Sequence, residues 1–497
     1  MAGKFPTVNR GADRPIPQFM ALLPAAVLAG LVIWGLVVRP LVLDTSAIPL
    51  EVVFLAAASF AIAQLLWLGF SWPTIQHAIV QRLAKALPAI FILLLIGPLV
   101  AAWMLSGTIP MLVSWGIELI DPRILYATAF LIAAIFSTLT GTSWGSAATV
   151  GVVLIGIGNS LGADSGIVAG AVVGGAYFGD KLSPLSDTTN MAAIATGVDL
   201  FEHIRSMLWS TVPSALIALG AYLSIGLSSD QNIQTLESQS IAAYLRALKA
   251  QFYFGVALLI PVLVVFFGSI KKWPTIPVLL LSISSAVALA ILLQGFSIEA
   301  VLQALVSGVE LDGARSANVP DSVAALVERG GIYSMKEAIF VALLVFLFVG
   351  AIDLLDTMPR LVDALFGFAR GQKMTVLSAL FASATTNALT SNQSATAFIT
   401  GDAFAKRFDN LRIPRRVLSR SIEDTGTMIE SIIPWHATAL FMSATLGVSV
   451  DEYWYWQILT LANLIIAPML ALSGIGCGYG KSGPPKSRQT LQKGKII

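Results

Sequence analysis

Two carboxylates, Asp180 and Asp187, stand seven residues apart in a stretch from Thr138 to Asn190 that is otherwise apolar, rich in glycine and studded with hydroxyls. Asp187-Thr188-Thr189-Asn190, with Thr142 and Ser143 upstream, offers a carboxylate, hydroxyls and backbone carbonyls, an all-oxygen set suited to a hard cation. A second set follows: Ser391 and Asn392, then Glu423, Asp424 and Glu430, then His436 after Pro434-Trp435. A carboxylate at membrane depth is expensive and by default marks an ion or proton path. Histidine is the side chain that titrates near neutral pH, and His436 lies about two helical turns beyond Glu430.

Each of these residues has a structural reading as well. Asp180 would pair with Lys181 or a later arginine as a brace, and Arg420 would neutralise Glu423 or Asp424. A lone histidine in an apolar helix is more often satisfied polar packing than a functional group. Thr142, Ser143, Ser391 and Asn392 would hydrogen-bond between helices, and the glycines from Gly170 to Gly179 would let helices approach closely. Pro184, between the two aspartates, argues against one continuous helix. Broken helix survives in hydrocarbon only where protein encloses it or it lines a wet cavity.

The elements that must position these groups are membrane helices. The chain of 497 residues is 56% hydrophobic and 12% charged, with mean hydropathy +0.81, against about 25% charged in soluble domains. A net charge of +2 gives no footprint for nucleic acid. The single Cys477 excludes an internal disulfide, and no metal-ligand spacing or cofactor motif is present. The run from Phe19 to Val38 is too long for a signal-peptide core and reads as a first, retained membrane helix.

Roughly eleven to thirteen spans of about 20 residues are expected, an all-α polytopic fold with broken or re-entrant helices. Short loops rich in lysine and arginine mark the cytoplasmic side. These are the loop with Arg82 and Lys85, the one from Lys406 through Arg407, Arg412, Arg415 and Arg416 to Arg420, and the tail 481–497. Both termini then fall in the cytoplasm of an inner-membrane protein. The organisation expected is a first half with the N-terminal helices (1–295), an extracytoplasmic connecting loop (296–334), a second half (335–480) and the basic tail.

Thr142-Ser-Trp-Gly-Ser-Ala147 resembles Thr390-Ser-Asn-Gln-Ser-Ala395 at an offset of 248 (142 to 390), and Ser137-Thr138 lines up with Thr385-Thr386. On the charge assignment the two copies are entered from opposite faces. Such an inverted repeat binds its substrate where broken helices meet near the midplane.

The stretch Gly141-Thr-Ser-Trp-Gly145, followed by Gly175-Ala-Tyr-Phe-Gly-Asp-Lys-Leu-Ser-Pro-Leu-Ser-Asp-Thr-Thr-Asn190, closely resembles the hallmark segment of the NhaC family of Na+/H+ antiporters. So does Glu202-His-Ile-Arg205 before Val212-Pro213, and so do Leu418-Ser-Arg-Ser-Ile-Glu-Asp-Thr-Gly-Thr427 and Ile433-Pro-Trp435. The resemblance implies a secondary transporter exchanging sodium for protons, with no cofactor. It also implies kinship with a superfamily that moves a transport domain against a dimeric scaffold, hence a homodimer in the lipid bilayer. Relatives that exchange proton-malate for sodium-lactate make an organic-acid exchanger the alternative. His436 departs from the asparagine expected after Pro-Trp in many members and is marked as a pH-sensitive position.

The resulting expectation is that Asp180 and Asp187, with Asp424 or Glu430, bind Na+ or H+ in turn, helped by oxygens of Thr142, Ser143, Thr188, Ser391 and Asn392. An intramembrane enzyme is disfavoured, since the chain has neither HExxH nor GxSxG.

Overall fold

Helix boundaries follow the apolar runs, because backbone in hydrocarbon must satisfy its own N–H and C=O groups. A computed structural model describes residues 16–228, 238–310, 321–367 and 369–479. The polar N-terminal segment with Lys4, Arg10, Asp13 and Arg14, the loop acids Asp230, Glu237 and Asp312, and the basic tail 481–497 lie outside the described residues. Among the described residues there are helices and connections and no strand. Seven helices among the described residues are long and apolar enough to cross a membrane, and up to nine if the pairs bent by 90° and 53° each count as one span. The broken crossings described below are too polar or too short to enter that count, which is why the expectation from sequence is higher.

Two charged segments depart from expectation. Arg82 and Lys85 do not form a loop but lie inside one 34-residue helix, Trp72–Leu105. Arg82 is tolerated there because its Nη2 donates to the Thr390 carbonyl (3.2 Å) and its Nη1 stands 3.7 Å from Asp353. The basic loop expected from Lys406 to Arg420 shrinks to the turn 411–414 with Arg412: Lys406 and Arg407 lie in helix Gln393–Asn410, Arg415 and Arg416 open the next helix, and Arg420 is buried within it. The connection 296–334 is partly helical, with Ile298–Ser307 and Asp321–Val327, and returns against the long helix where the Gly331 N–H donates to the Gly97 carbonyl (2.8 Å).

Helices Gln18–Val32, Leu50–Trp67, Trp72–Leu105 and Lys336–Asp353 pack through an apolar core that includes Phe54 and Phe348, with ring centroids 6.3 Å apart. The rest of the molecule contains one sequence of elements twice. The first copy is a hairpin (Leu125–Thr140, then 143–160), a crossing broken at 183–186 (Ser165–Leu182, Asp187–Thr196) and the helix Leu200–Ser228. The second is a hairpin (Gln372–Thr390, Gln393–Asn410), a crossing broken at 430–436 (415–429, Ala437–Leu446) and a segment ending in Ile458–Ser473.

Backbone geometry fixes the register between the copies. Each hairpin turns through one left-handed residue, Gly141 (φ 70°) or Ser391 (φ 49°), followed by an extended N-cap, Thr142 or Asn392. Each broken crossing ends on a left-handed glycine, Gly197 or Gly447. These landmarks share an offset of 250 (142 to 392), so the sequence register of 248 is corrected by two residues. Runs of Ser, Thr and Ala match easily by composition; capping geometry does not. The two crossings run antiparallel, since Tyr177 meets Glu430, Lys181 meets Asp424, and the Thr196 carbonyl meets Arg415.

The glycines of the first crossing are a packing surface. A Cβ on Gly175 would collide with the Phe130 carbonyl, and one on Gly179 with Thr138 N and the Ala134 carbonyl. The helices Leu125–Thr140 and Ser165–Leu182 thereby approach at backbone distance and make the most extensive helix pair among the described residues.

Candidate functional site

The first hairpin tip is aimed at the first break. Thr142 caps the incoming helix by accepting from Gly145 N (3.2 Å), and this leaves the Ser143 N–H and hydroxyl pointing at Asp180 Oδ2 (3.1 and 2.7 Å). Pro184 lies in the non-helical turn 183–186, and Ser186 restarts the helix as N-cap of Asp187–Thr196. Asp180 is 4% exposed; its Oδ1 meets hydrogen-bond geometry with no described residue, and the hydroxyl standing beside the carboxylate is that of Ser186.

The second crossing presents Glu430, at offset 250 from Asp180, in the corresponding place. It accepts from Asn387 Nδ2 on Oε1 (3.0 Å), and from the Tyr177 and Thr438 hydroxyls on Oε2 (3.2 and 3.1 Å). Tyr177 belongs to the first crossing, so the two copies meet at this carboxylate. Ser391 accepts from Ala437 N (2.8 Å), and Asn392 is used as the cap of its own helix through Ala395 N (2.8 Å).

His436 is the N-cap of Ala437–Leu446, the role Ser186 plays in the other copy. Its Nδ1 accepts from Thr438 N (3.1 Å), which leaves Nε2 to donate to Asn387 Oδ1 (3.1 Å). Both contacts require the neutral ring with the proton on Nε2. Asparagine supplies the same capping oxygen, so His436→Asn is expected to leave the pH profile of transport unchanged. A shift of the profile by a full pH unit in proteoliposomes would restore the sensor reading.

Glu423, which the sequence offers among the carboxylates of the second set and as a partner for Arg420, takes neither the ion-pair role nor a hydrogen-bonded one. Glu423 is fully buried in a π-turn, Ile422–Thr427, a feature frequent at functional sites. Neither of its oxygens meets hydrogen-bond geometry with any described residue, and the hydroxyl standing beside it is that of Thr427. The arginine turns elsewhere. Asp424 takes Lys181 Nζ on Oδ1 (2.5 Å) and the Ser210 hydroxyl (2.6 Å), with Arg420 Nε 3.6 Å from Oδ2. Asn463 donates to the Asp424 carbonyl (2.8 Å). The expected brace between Asp180 and Lys181 is therefore not formed; Lys181 serves Asp424.

The structure thus joins Ser143 to Asp180, sets Glu423 and Glu430 within electrostatic reach of Asp180, and places Asp424 in an ion-pair cluster with Lys181 and Arg420. Asp187 is exposed at the first break, where its carboxylate accepts from Thr188 N (3.0 Å), and Thr188 contacts Ser186 (3.1 Å). Among the described residues no three acidic, histidine or cysteine side chains gather as a metal cage. A cation here would draw on Asp180 Oδ1 or Glu423 together with hydroxyl and backbone oxygens.

Membrane helices whose paired hairpins aim capped tips at breaks in two antiparallel crossings, with a buried carboxylate at each break, define a secondary transporter. The profile of the Na+/H+ antiporter family matches residues 175–475. The chain is 38% identical over 434 residues to an uncharacterized Na+/H+ antiporter of Haemophilus influenzae, spanning 87% of this chain and 92% of that one. It is 34% identical over 435 residues to the Na+/H+ antiporter NhaC of Alkalihalophilus pseudofirmus (88% and 92%). To the malate-2H+/Na+-lactate antiporter of Bacillus subtilis it is 29% identical over 435 residues (87% and 91%). The chain belongs to the Na+/H+ antiporter family, with NhaC proteins among its relatives.

Proposed function

We propose that the protein exchanges Na+ for H+ across the membrane by alternating access. The observation that carries the reading is the cluster Asp180, Glu423 and Glu430, buried where the two repeats meet, with three carboxylate oxygens lacking partners. A fully buried ionised carboxylate without donors is costly, so it takes up either a proton or a cation. Glu430, held by three donors, is the fixed anion of the site, while Asp180 Oδ1 and Glu423 are the positions where Na+ and H+ replace one another. Asp187, exposed at the break, is the group an arriving cation meets first.

The proposal takes the antiparallel copies as inverted across the membrane, so that each hairpin shields the site from one side. It includes both termini in the cytoplasm and a homodimeric carrier in the bilayer. Lys181, Asp424 and Arg420 hold the second crossing against the first and are not ion ligands in this reading. An organic-acid exchanger would hold the substrate carboxylate at the Ser/Thr-bearing breaks and helix N-termini, and a free buried cation would favour it. Arg82, Lys181 and Arg420 are each engaged by oxygens of the protein itself. The discriminating experiment is Na+-driven proton flux in proteoliposomes, alone and with malate or lactate. Flux with Na+ alone supports the proposal, and flux that appears only with an organic acid overturns it.

A further inference from the structure

A cavity of about 930 Å³ opens at the end of the molecule where Arg412, Arg415 and Arg416 gather. Its walls come from the start of Leu200–Ser228 and the end of Ile458–Ser473, with Arg205, Arg416, Phe201, Trp209 and Tyr479 among them. Its charges are nearly all committed. Asp199 caps its own helix through Phe201 N and Glu202 N (3.0 and 3.1 Å), and Glu202 pairs with Arg416 (2.9 Å). Arg205 is exposed and makes no hydrogen bond or ion pair among the described residues, so its guanidinium is free to meet an anion in a lining whose two acids, Asp199 and Glu202, balance its two arginines in formal charge.

The surroundings are those of a membrane interface. Phe201 is 65% and Trp209 52% exposed, and from them an exposed apolar stripe runs along the same helix face through Leu208, Val212 and Leu216. Aromatic rings collect at headgroup level, and guanidinium groups recognise phosphate. The repeat does not demand these arginines, because at the offset of 250 the other copy has Tyr455 for Arg205 and Gly166 for Arg416. The cavity wall also reaches the buried ion-pair cluster. Arg420 spans from the Gly476 carbonyl (3.3 Å), in the cavity wall, to Asp424 (3.6 Å).

We propose that this cavity binds the headgroup of an anionic phospholipid, with Arg205 as the countercharge to its phosphate and the acyl chains lying along the Leu208–Leu216 stripe. Basic pockets between membrane helices on the side of the anionic leaflet bind such headgroups, each arginine contributing about fivefold in affinity. The inference does not rest on Na+/H+ exchange, and its test reads binding alone. Wild type, Arg205→Gln, Arg205→Lys and Trp209→Ala are titrated with phosphatidylglycerol, phosphatidylcholine and inorganic phosphate and read by native mass spectrometry. Wild type is expected to prefer phosphatidylglycerol, Arg205→Gln to bind it about fivefold more weakly, Arg205→Lys to retain most of the affinity, and Trp209→Ala to lose lipid affinity. Equal retention of phosphatidylglycerol by wild type and Arg205→Gln overturns the site. Displacement by inorganic phosphate at concentrations matching the lipid overturns the assignment to a lipid.

Discussion

Asp180→Asn is expected to lower Na+-driven proton flux in proteoliposomes about a hundredfold, with the purified protein remaining monodisperse and its Tm close to that of wild type. The reasoning is local. Asparagine keeps the size of the side chain and an oxygen for the Ser143 N–H and hydroxyl, which now bond Asp180 at 3.1 and 2.7 Å. It removes the negative charge from the one oxygen at the break that has no partner. A hydrogen bond or ligand contact to a charged group is worth about 1.5–3 kcal/mol more than to none, and about 1.4 kcal/mol is a factor of ten. Flux within about threefold of wild type, from protein shown to be folded, would assign Asp180 to the hairpin cap alone.

The largest effect on stability is expected at Lys181 and Asp424. Both side chains are buried, 0% and 1% exposed, and their contact joins the first crossing to the second. Breaking a buried pair by removing one partner leaves a lone charge and costs about 3–5 kcal/mol. Lys181→Met and Asp424→Asn are each expected to reduce the yield of folded protein sharply and to lower Tm in detergent. The double variant Lys181→Met/Asp424→Asn is expected to recover much of the loss, since no uncompensated partner then remains from this pair. Arg420 still faces position 424 at 3.6 Å, so recovery is partial. Singles and double with additive losses would show that the pair is not a brace. A double that folds well yet transports nothing would move Asp424 into the ion path.

What was legible in the sequence was mostly local. Pro184 announces a break through its own backbone chemistry, and the structure ends a helix just before it; Thr142, read as an oxygen donor to an ion or a neighbouring helix, is instead the cap of its own helix. The repeat was visible as similar text but two residues out of register, because capping geometry, not residue identity, fixes the alignment of Thr142 with Asn392. Arg82 and Arg420 were assigned to loops because charges are expelled from hydrocarbon. Their partners, Thr390 and Asp353 for one and Asp424 for the other, belong to folded geometry that hydropathy does not describe. Glu423 and Asp424 appear alike in the sequence as neighbours of Arg420, whereas in the π-turn Asp424 pairs with Lys181 and Glu423 stays buried without a hydrogen-bond partner. Asp180 and Asp187 appear alike in the sequence, whereas the break buries one and exposes the other.

The central claim is that Na+ and H+ compete for one buried carboxylate set. The direct measurement is the proton release when Na+ is added to purified protein in weakly buffered detergent solution, with choline as the control cation, for wild type and Glu423→Gln. The account predicts saturable acidification by Na+ in wild type, lost or greatly reduced in Glu423→Gln. Saturable Na+ binding with no proton released, or release that persists undiminished in Glu423→Gln combined with Asp180→Asn, would contradict it.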